Sequence, residues 1–337
     1  MTTVAPAEVL AVDGGNSKAD LALVAADGTL LAAVRGPTIS HQAVGLDRGI
    51  ANLVALAAEA RRTAGLDEVH PVASDAVYSL AGADYPEDVR LLRRAIEATG
   101  LAGSTTVVND TFGALRAGTH RPWGMVLICG QGTNAAAVAP DGRSARFDGV
   151  GEYSGDWGGG SSIGQAALAA AVRGRDGRGP RTALERLVPA HFAVTSPPAL
   201  TKALYLGRIE HRRVSELAPV VFAAAAEGDA VARSIIDRLA DELVAMAAAL
   251  IRRLRLGRLD PEVVLAGGVF RTNDGAFYER LERGIQAAAP EARLVRLVAP
   301  PVLGAALIAL DWHAPRGVVA PEVDSRLRSA LESWDPR

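Results

Sequence analysis

The feature that most constrains the fold of this chain is a glycine-rich turn between two apolar runs, which occurs twice. In the first copy, apolar residues 9–12 and 19–25 flank the turn at residues 13–18. The second copy spans residues 125–139, with its turn at residues 130–134. Short apolar runs joined by a glycine turn predict a β-hairpin. The recurrence, about one domain apart, predicts two copies of one supersecondary unit.

Helical periodicity separates and follows the two hairpins. Apolar residues recur at helical spacing in residues 46–64 and 86–99, and the segment with the best such stripe is residues 229–256. A charged, glycine-rich stretch at residues 173–181 is interpreted as a solvated loop. Further strands are predicted at residues 76–80, 105–108 and 262–266, and a late helix at residues 301–312. Strands alternating with helices, together with hairpins, predict a mixed α/β protein.

Composition excludes several classes of protein. The 337 residues carry 36 basic and 38 acidic side chains, a formal net charge of -2, which provides no field for nucleic acid or an anionic membrane surface. The single cysteine, Cys129, excludes an internal disulfide framework. Residues 1–8 lack the basic start of a signal peptide, and no apolar run reaches 18 residues. The sequence therefore predicts a cytoplasmic chain, and its length favours two domains.

The composition of both turns favours phosphate binding. Backbone N–H groups of glycines can approach phosphate oxygens closely, and hydroxyl and lysine side chains add further hydrogen bonds. Neither turn is a Walker A loop, and no G-x-G-x-x-G follows a strand as a dinucleotide site requires. The residues of this type are Gly14, Gly15, Ser17 and Lys18 in the first turn and Gly130, Gly132, Thr133 and Asn134 in the second.

Five motifs in a fixed order carry a resemblance to a known family. They are the Asp-Gly-Gly hairpin at residues 13–15, the strand that ends at Asn109-Asp110, the Gly-x-Gly-Thr-Asn hairpin at residues 130–134, Gly155-Asp156 and the Gly-Gly-Val-Phe run at residues 267–270. In this order the chain resembles the BadF/BadG/BcrA/BcrD-type ATPase and N-acetylglucosamine kinase family of the actin/hexokinase/Hsp70 superfamily. The resemblance covers residue 9 to about residue 310.

The resemblance implies a fold, cofactors and an oligomeric state. The fold would be a two-lobed actin-like ATPase (ribonuclease H-like) fold, with duplicated mixed sheets flanked by helices and a central nucleotide/sugar cleft. Residues 1–118 would form the N-terminal lobe and residues 119–337 the larger C-terminal lobe, with helix 301–312 as a candidate to pack back on the first lobe. ATP and Mg²⁺ would be the cofactors. The family's frequent dimers make a homodimer plausible.

The resemblance also implies roles for individual residues. Asp13 would hold the nucleotide magnesium, and Asp110 would be the general base for a sugar hydroxyl; the competing interpretation of Asp110 is the N-cap of a helix at residues 111–117. Nucleotide and phosphate would be bound by Gly14, Gly15, Asn16, Ser17, Lys18, Gly132, Thr133, Asn134, Gly267 and Gly268. The substrate would contact Ser40, His41, Ser79, Asn109, Asp110, Gln131, Glu152 and Asp156.

Departures from the family pattern bear on the substrate. Ser40 stands where N-acetylglucosamine kinases of the family have a sugar-contacting asparagine, and Glu152 adds an acid to the segment that holds Asp156. A carboxylate suits the protonated amine of glucosamine, since an unpaired cation in a closed site is costly. A glucosamine kinase of the actinobacterial type, phosphorylating the 6-hydroxyl, is therefore expected. N-acetylglucosamine or another hexose is the alternative, and a solvent-facing Glu152 is an equally weighted interpretation.

Three other functions compete with a sugar kinase. Activator ATPases of the same family hold an iron–sulfur cluster between two subunits, which needs two cysteines in each chain, whereas this chain has only Cys129. Residues 160–164 match the hydrolase pattern G-x-S-x-G, but the residues before it are polar and glycine-rich rather than an apolar strand. A non-catalytic actin-like or chaperone ATPase would normally need an added partner-binding region. The kinase remains the favoured prediction.

Overall fold

A computed structural model describes residues 7–66, 71–315 and 317–335. It contains two five-stranded sheets flanked by helices, which confirms the predicted α/β fold class. None of the helices in these ranges is long and apolar enough to cross a membrane.

The first sheet has the strand order β3-β2-β1-β4-β5. Strands β1 and β2 form the predicted first hairpin, β3 continues it antiparallel, and β4 and β5 run parallel to β1. Because the carboxyl ends of parallel strands lie at one edge, the residues that follow β1, β4 and β5 are brought together there. The strands are β1 (Ala7–Gly14), β2 (Lys18–Val24), β3 (Leu30–Pro37), β4 (Ala73–Leu80) and β5 (Ala102–Asn109), accompanied by helices α1 (His41–Val44), α2 (Leu46–Ala64), α3 (Pro86–Glu97) and α4 (Asp110–Gly118).

The second sheet has the order β10-β9-β6-β7-β8, and β6 and β7 are the strands of the second glycine-rich repeat. Its strands are β6 (Gly124–Cys129), β7 (Thr133–Val138), β8 (Ser144–Arg146), β9 (Glu262–Ala266) and β10 (Arg293–Arg296). The remaining helices are α5 (Gly159–Asp176), α6 (Leu184–His191), α7 (Pro197–Tyr205), α8 (Ala218–Ala226), α9 (Ala230–Leu254), α10 (Gly275–Gln286), α11 (Val302–His313) and α12 (Pro321–Glu332), with 3₁₀ turns at Gly151–Ser154, His211–Leu217 and Gly268–Arg271.

Both faces of the first sheet are buried. Leu10 and Val12 of β1 face a core that includes α2 and α3, whereas Val9 and Ala11 face a core that includes α11 and α12. This alternation follows from the two-residue side-chain period of a strand. Burial on both faces explains why β1 is apolar along almost its whole length.

The chain divides into two compact units that differ from the expected division at residue 118. The first unit comprises the described residues up to Val126, Ala136–Ser144 and the described residues from Val295 onward. The second comprises Leu127–Ala135 and Ala145–Leu294. The C-terminal helices belong to the first unit because α11 and α12 bury their apolar residues against the first sheet.

The expected loop at residues 173–181 begins later than predicted. Helix α5 continues through Asp176 and ends at Gly177, whose φ of 83° suits the left-handed cap of a helix. The charged residues of this segment led to the prediction of a loop where the last turn of the helix lies. Arg173 and Arg175 lie in the last turn of α5, where positive side chains interact favourably with the helix dipole.

Candidate active site

Asp13 lies at the carboxyl end of β1, at the entrance to the first glycine-rich turn. In the sheet register it is opposite Asp20 of β2 and Ser79 of β4. The turn is closed by a 2.9 Å hydrogen bond from the Gly15 N–H to the carbonyl of Lys18. A Cβ added to Gly14 would lie 2.6 Å from the end of the Leu80 side chain, so this turn packs closely on β4.

The environment of Asp13 strongly disfavours a negative charge. Burial, followed by the nearby carboxylates of Asp110 and Asp20, raises the pKa of Asp13 to about 8, although Lys18 and Arg35 act in the opposite direction. Asp20 is itself paired with Arg35 through hydrogen bonds of 2.5 and 2.7 Å. Carboxylates gathered in this way are a typical setting for a divalent cation, which relieves their mutual repulsion.

Asp110 is the first residue of α4, and it is not the cap of that helix. The cap is Asn109, whose Oδ1 accepts hydrogen bonds from the Thr111 N–H at 3.2 Å and the Thr111 hydroxyl at 2.6 Å. The amide nitrogen of Asn109 donates to Asp84 Oδ1 at 3.0 Å, so this side chain is held from both ends. The competing interpretation of Asp110 as an N-cap is therefore wrong, because Asn109 already satisfies that requirement.

Close packing fixes the start of α4 at the edge of the sheet. Gly113 of α4 lies against the Ser79 side chain, where an added Cβ would collide with the hydroxyl. The Ser79 hydroxyl donates a hydrogen bond of 3.4 Å to the carbonyl of Asp110. Helix α4 also packs against α11 at Gly304, where an added Cβ would collide with the Gly113 carbonyl. Asp110 is thus carried by a helix with little freedom to shift.

The segment that contains Ser40 and His41 is attached to the Asp13 turn. Thr38 Oγ1 donates to the Gly15 carbonyl at 2.7 Å, and Ser40 Oγ donates to Asn16 Oδ1 at 2.7 Å. Ser40 also caps α1. Within the described residues, the buried Nδ1 of His41 has no hydrogen-bond partner. An orphaned buried polar atom of this kind is costly unless a ligand or water satisfies it.

In the second unit, the turn between β6 and β7 lies against the start of α5. The Gly130 N–H donates to the Gly132 carbonyl at 2.9 Å. The N–H groups of Gly160 and Ser161 donate to the carbonyls of Gly130 and Gln131 at 2.8 and 2.9 Å. The turn therefore lies at the N-terminus of a helix 18 residues long, where the helix dipole favours an anion.

Thr133 and Asn134 follow this turn. The buried Thr133 Oγ1 has no hydrogen-bond partner among the described residues. The Asn134 side chain accepts a hydrogen bond of 2.8 Å from the Ala135 N–H. Gln131 and Gly132 are exposed. The turn thus combines exposed backbone with an unsatisfied hydroxyl, which fits the binding of phosphate oxygens.

A cavity of about 770 Å³ opens beside this turn, within the second unit. Gly267 is required at its edge, since its φ is 107° and a Cβ there would collide with the Cys129 carbonyl. The volume falls in the range of small-molecule and cofactor sites. Its lining residues are Gly130, Gln131, Gly160, Ser215, Glu216, Ala218, Pro219, Phe222, Gly268, Val269, Arg271 and Thr272.

Glu152 and Asp156 lie in a glycine-rich segment before α5. Glu152 is exposed on the 3₁₀ turn Gly151–Ser154. The Asp156 carboxylate accepts a hydrogen bond of 2.5 Å from Ser154 Oγ, and the neighbouring Trp157 stacks with Arg238, whose guanidinium carbon lies 4.0 Å from the ring centroid. An exposed position agrees with the solvent-facing interpretation of Glu152 as well as with a role in binding.

Most of the predicted site residues thus fall into two groups, whereas Glu152 and Asp156 lie apart from both in the segment before α5. The first unit brings together Asp13, Asp110, the first turn, Ser40, His41, Ser79 and Asn109; the second brings together Gln131, Gly132, Thr133, Asn134, Gly267 and Gly268. Sequence reasoning missed the far wall of the cavity, formed by residues 215–222, because a helical segment gives no local sign of lining a pocket. The glycine run at residues 158–160 was an available signal for the helix start beside the second turn.

Comparison with known proteins identifies the family of this chain. The family model described as the BadF/BadG/BcrA/BcrD ATPase family matches residues 10–309. The chain belongs to this family. It is 28% identical to an N-acetylmuramic acid/N-acetylglucosamine kinase of Clostridium acetobutylicum, over 89% of this chain and 97% of the relative. It is 26% identical to the N-acetyl-D-glucosamine kinase of Dictyostelium discoideum, over 90% of this chain and 97% of the relative.

A solved structure shares the fold of this chain. A protein of Chromobacterium violaceum, provisionally assigned as an N-acetylglucosamine kinase, superposes with a TM-score of 0.70. The two chains are 24% identical, and the match covers 90% of this chain and 99% of the other.

Proposed function

We propose that the protein is an ATP- and Mg²⁺-dependent sugar kinase. The observation that carries the proposal is the position of Asp110 beside Asp13, at the edge of the first sheet, with the helix cap supplied by Asn109 instead. An aspartate held in this way, and not needed as a cap, is suited to accept a proton from a substrate hydroxyl.

In the proposed reaction, Asp110 orients a sugar hydroxyl and accepts its proton as the oxygen attacks the γ-phosphorus of ATP. A bond forms between the sugar oxygen and phosphorus, and the bond from phosphorus to the β,γ-bridging oxygen breaks, which releases ADP. Such transfers gain mostly from positioning and from stabilisation of charge. The tight packing of α4 against β4 and α11 supplies the positioning of Asp110.

Asp13 is the residue that would hold Mg²⁺. The oxygen ligands at this position fit the ion. The negative charges of Asp110 and Asp20 raise the pKa of Asp13, and together the three carboxylates give the site an excess of negative charge. When bound, Mg²⁺ would neutralise charge on the phosphates of ATP. Lys18, at the end of the same turn, supplies a second positive charge.

In this proposal, the second unit binds the nucleotide. Phosphate would lie at the Gly130–Gly132 turn, where the start of α5 and the unsatisfied Thr133 hydroxyl favour an anion. The adenosine would occupy the cavity of about 770 Å³, where Phe222 and Val269 provide an apolar wall. The family's ATPase description supports ATP as the donor.

For the acceptor we propose the 6-hydroxyl of D-glucosamine. The support is the pair of carboxylates, Glu152 and Asp156, in one short segment, since a protonated amine gains from a carboxylate partner. N-acetylglucosamine is the competing acceptor, and it is favoured by the names of the two curated relatives.

A first experiment tests the kinase assignment. Turnover with ATP and Mg²⁺ is measured across a panel of hexoses and aminosugars in a coupled ADP assay, for the parent chain and for Asp110→Asn. We expect the variant to lose a factor of about 10² to 10⁴ in kcat, the usual contribution of a general base, while its Kd for the sugar changes little. Asp141→Asn, a substitution in an exposed turn, is the matched control. Near-normal kcat in Asp110→Asn would refute its role as the base.

A second experiment tests the acceptor. The ratio of kcat/KM for glucosamine to kcat/KM for N-acetylglucosamine is measured in the parent and in Glu152→Gln. If Glu152 pairs with the amine, the ratio exceeds one in the parent and falls by about tenfold in the variant, the value of a charge-assisted hydrogen bond. Glu227→Gln, at an exposed helix end, is the control. A parent ratio below one, or the same ratio in Glu152→Gln, would reject glucosamine and leave the kinase assignment intact.

A further inference from the structure

Three side chains that can bind a metal ion meet at the edge of the first sheet opposite to the candidate active site. Glu8 is near the start of β1, Asp75 is near the start of β4, and His313 is the last residue of α11. Asp13 and Ser79 lie near the carboxyl ends of the same two strands. At about 3.3 Å per residue, the two edges are roughly 13 to 17 Å apart. The three side chains are therefore separate from the residues assigned above to sugar, nucleotide and Mg²⁺.

The fold brings these three residues together from distant parts of the sequence, so no spacing motif predicts them. In the parallel pairing of β1 with β4, Val9 is opposite Asp75, which makes Glu8 a neighbour of Asp75 across the two strands. Helix α11 packs across β1 and β4 and ends at His313. One ligand atom from each of the three side chains lies within 4.8 Å of the other two. All three residues belong to the first compact unit.

The carboxylate of Asp75 is held in place by a residue outside the cluster. Its Oδ1 accepts a hydrogen bond from the Ser104 hydroxyl, and its Oδ2 lies 2.8 Å from Nε2 of His313. Such an outer hydrogen bond commonly orients a carboxylate that binds a metal. Two ligand atoms at about 2.1 Å from one ion are about 3 Å apart when they subtend a right angle at it. The Asp75 and His313 side chains therefore need little movement to share an ion.

Glu8 distinguishes this cluster from an ordinary ion pair. The residue is partly buried, yet its carboxylate has no hydrogen-bond or ion-pair partner in the part of the chain that the structure describes. Within the same residues, no lysine or arginine is paired with Asp75. A pair between His313 and Asp75 leaves the charge of Glu8 unmatched, whereas a divalent ion matches both carboxylates and relieves their repulsion.

The types of ligand atom indicate the class of ion. An imidazole nitrogen with carboxylate oxygens suits divalent transition metals such as Zn²⁺, whereas Ca²⁺ and Mg²⁺ prefer oxygen ligands alone. Three ligands from the protein leave a coordination position for water. His313 also lies at the carboxyl end of a helix of 12 residues, where the helix dipole favours a cation.

From these observations we infer that Glu8, Asp75 and His313 form a binding site for a divalent transition-metal ion, with Zn²⁺ as its representative. The bound ion joins the end of α11 to the starts of β1 and β4 and so stabilises the first unit. The inference does not depend on the proposed kinase activity, since none of the three ligands takes part in that reaction.

The test measures the binding of Zn²⁺ to the whole chain by competition with a chromogenic chelator, in excess Mg²⁺ and without nucleotide. We expect one Zn²⁺ per chain. Glu8→Gln keeps the size of the side chain and removes its charge, and it should weaken the Kd by about tenfold or more, since even a residue that only supports a metal ligand contributes 10- to 100-fold. His313→Gln should weaken the Kd at least as much. Zn²⁺ should also raise the Tm of the parent more than that of His313→Gln.

Two control variants identify the site. His191→Gln removes a histidine whose Nε2 lies 3.2 Å from a single carboxylate, that of Glu216, and it should leave the Kd for Zn²⁺ unchanged. Asp13→Asn should also leave this Kd unchanged, because the proposed Mg²⁺ site is at the other edge of the sheet.

A second measurement needs no variant and so remains decisive if a substitution prevents folding. Diethyl pyrocarbonate modifies accessible histidine nitrogens, and mass spectrometry of peptides locates the modified residues. Zn²⁺ should protect His313, whose side chain is 47% exposed. It should leave His120 reactive, since this side chain is 70% exposed and contacts only the carboxylate of Asp324. Equal protection of both histidines would mean that Zn²⁺ binds without selecting the cluster, which would refute the inference.

Three results of the titrations would overturn the inference. The first is the absence of saturable Zn²⁺ binding by the parent. The second is an equal Kd for Glu8→Gln and the parent, which would mean that His313 and Asp75 form only an ion pair. The third is loss of Zn²⁺ binding in Asp13→Asn but not in Glu8→Gln, which would place the ion at the proposed Mg²⁺ site.

Discussion

At the scale of single residues, Asp13 has an unusual ionisation, and this has a consequence for stability. Its pKa is raised from 3.8 to about 8, first by burial and then by the carboxylates of Asp110 and Asp20. A raised pKa means that the folded state holds the proton more tightly than the unfolded state. The stabilisation that protonated Asp13 gives the folded state is complete below the pKa of Asp13 in the unfolded chain. It is lost as the pH rises through about 8.

Asp13→Asn should remove this pH dependence, because asparagine stays neutral. In EDTA, we expect the unfolding free energy of the variant minus that of the parent to increase from pH 4 to pH 8 and to remain constant above. Urea denaturation at several pH values measures it. With Mg²⁺ added above pH 8, the parent should gain stability and the variant should not.

The control is Asp141→Asn, which removes an exposed turn aspartate whose pKa is lowered by Arg143 and should show no such increase. If the unfolding free energies of Asp13→Asn and the parent differ by the same amount at pH 5 and at pH 9, the pKa of Asp13 is not raised in the folded protein.

Cys129 gives a second prediction at this scale. Burial raises the pKa of its thiol to about 12, so almost no thiolate forms near neutral pH. Iodoacetamide at pH 8 should therefore leave the folded protein unmodified, and the same reagent in concentrated urea should alkylate the thiol. Mass spectrometry of the intact chain distinguishes the two outcomes. Rapid labelling of the folded protein would show that β6 is less protected than the structure indicates.

At the scale of elements, the sequence predicted the bounds of a helix or strand best where the spacing of its apolar residues is regular over its whole length. Helix α2 (Leu46–Ala64) and strand β9 (Glu262–Ala266) have the predicted bounds, because their apolar spacing identifies them without help from the rest of the fold. Helix α5 (Gly159–Asp176) is the contrasting case. Its glycine-rich start is helical because the Gly130–Gly132 turn accepts its first N–H groups, a contact that no local pattern encodes.

Gly159 gives the prediction for this element. Its φ is 71°, and a Cβ would lie 2.5 Å from the Gln131 carbonyl oxygen and 2.6 Å from Gly132, so an alanine must displace the turn that would hold phosphate. We expect Gly159→Ala to raise the KM for ATP by about tenfold or more, since a shift of about 1 Å in a positioned group can cost 10²-fold.

The matched control for Gly159→Ala is Gly155→Ala. Gly155 has a similar φ of 76°, but an added Cβ there meets nothing within 4 Å. It should lower stability by about 1 kcal/mol through backbone strain and leave the KM for ATP unchanged. Equal effects of the two substitutions on KM would show that backbone strain, rather than the collision with the turn, is responsible.

At the scale of the whole molecule, the first unit depends on residues from both ends of the sequence. The resemblance carried by the five motifs implied that Asp13 and Asp110 belong to one site. The sequence could not predict that Arg116 pairs with Asp311, which is 195 residues away, since no periodicity encodes a partner at that distance. The expected homodimer stays a prediction.

The buried network around Arg116 gives the final prediction. Arg116 is 3% exposed and holds the carboxylates of Asp311 and Asp324, at 5% and 4% exposure, so it joins α4 to α11 and α12. Arg116→Leu would leave the two buried carboxylates without this partner, which costs about 3–5 kcal/mol of unfolding free energy.

Arg90→Leu, which breaks an exposed pair with Glu87, should cost far less because solvent screens that pair, and it serves as the control. Arg116→Leu with Asp311→Leu should be more stable than Arg116→Leu alone, because a buried uncompensated charge is removed. Urea denaturation followed by far-UV circular dichroism measures all three. If Arg116→Leu unfolds at the same urea concentration as the parent, the network does not hold the C-terminal helices to the first sheet.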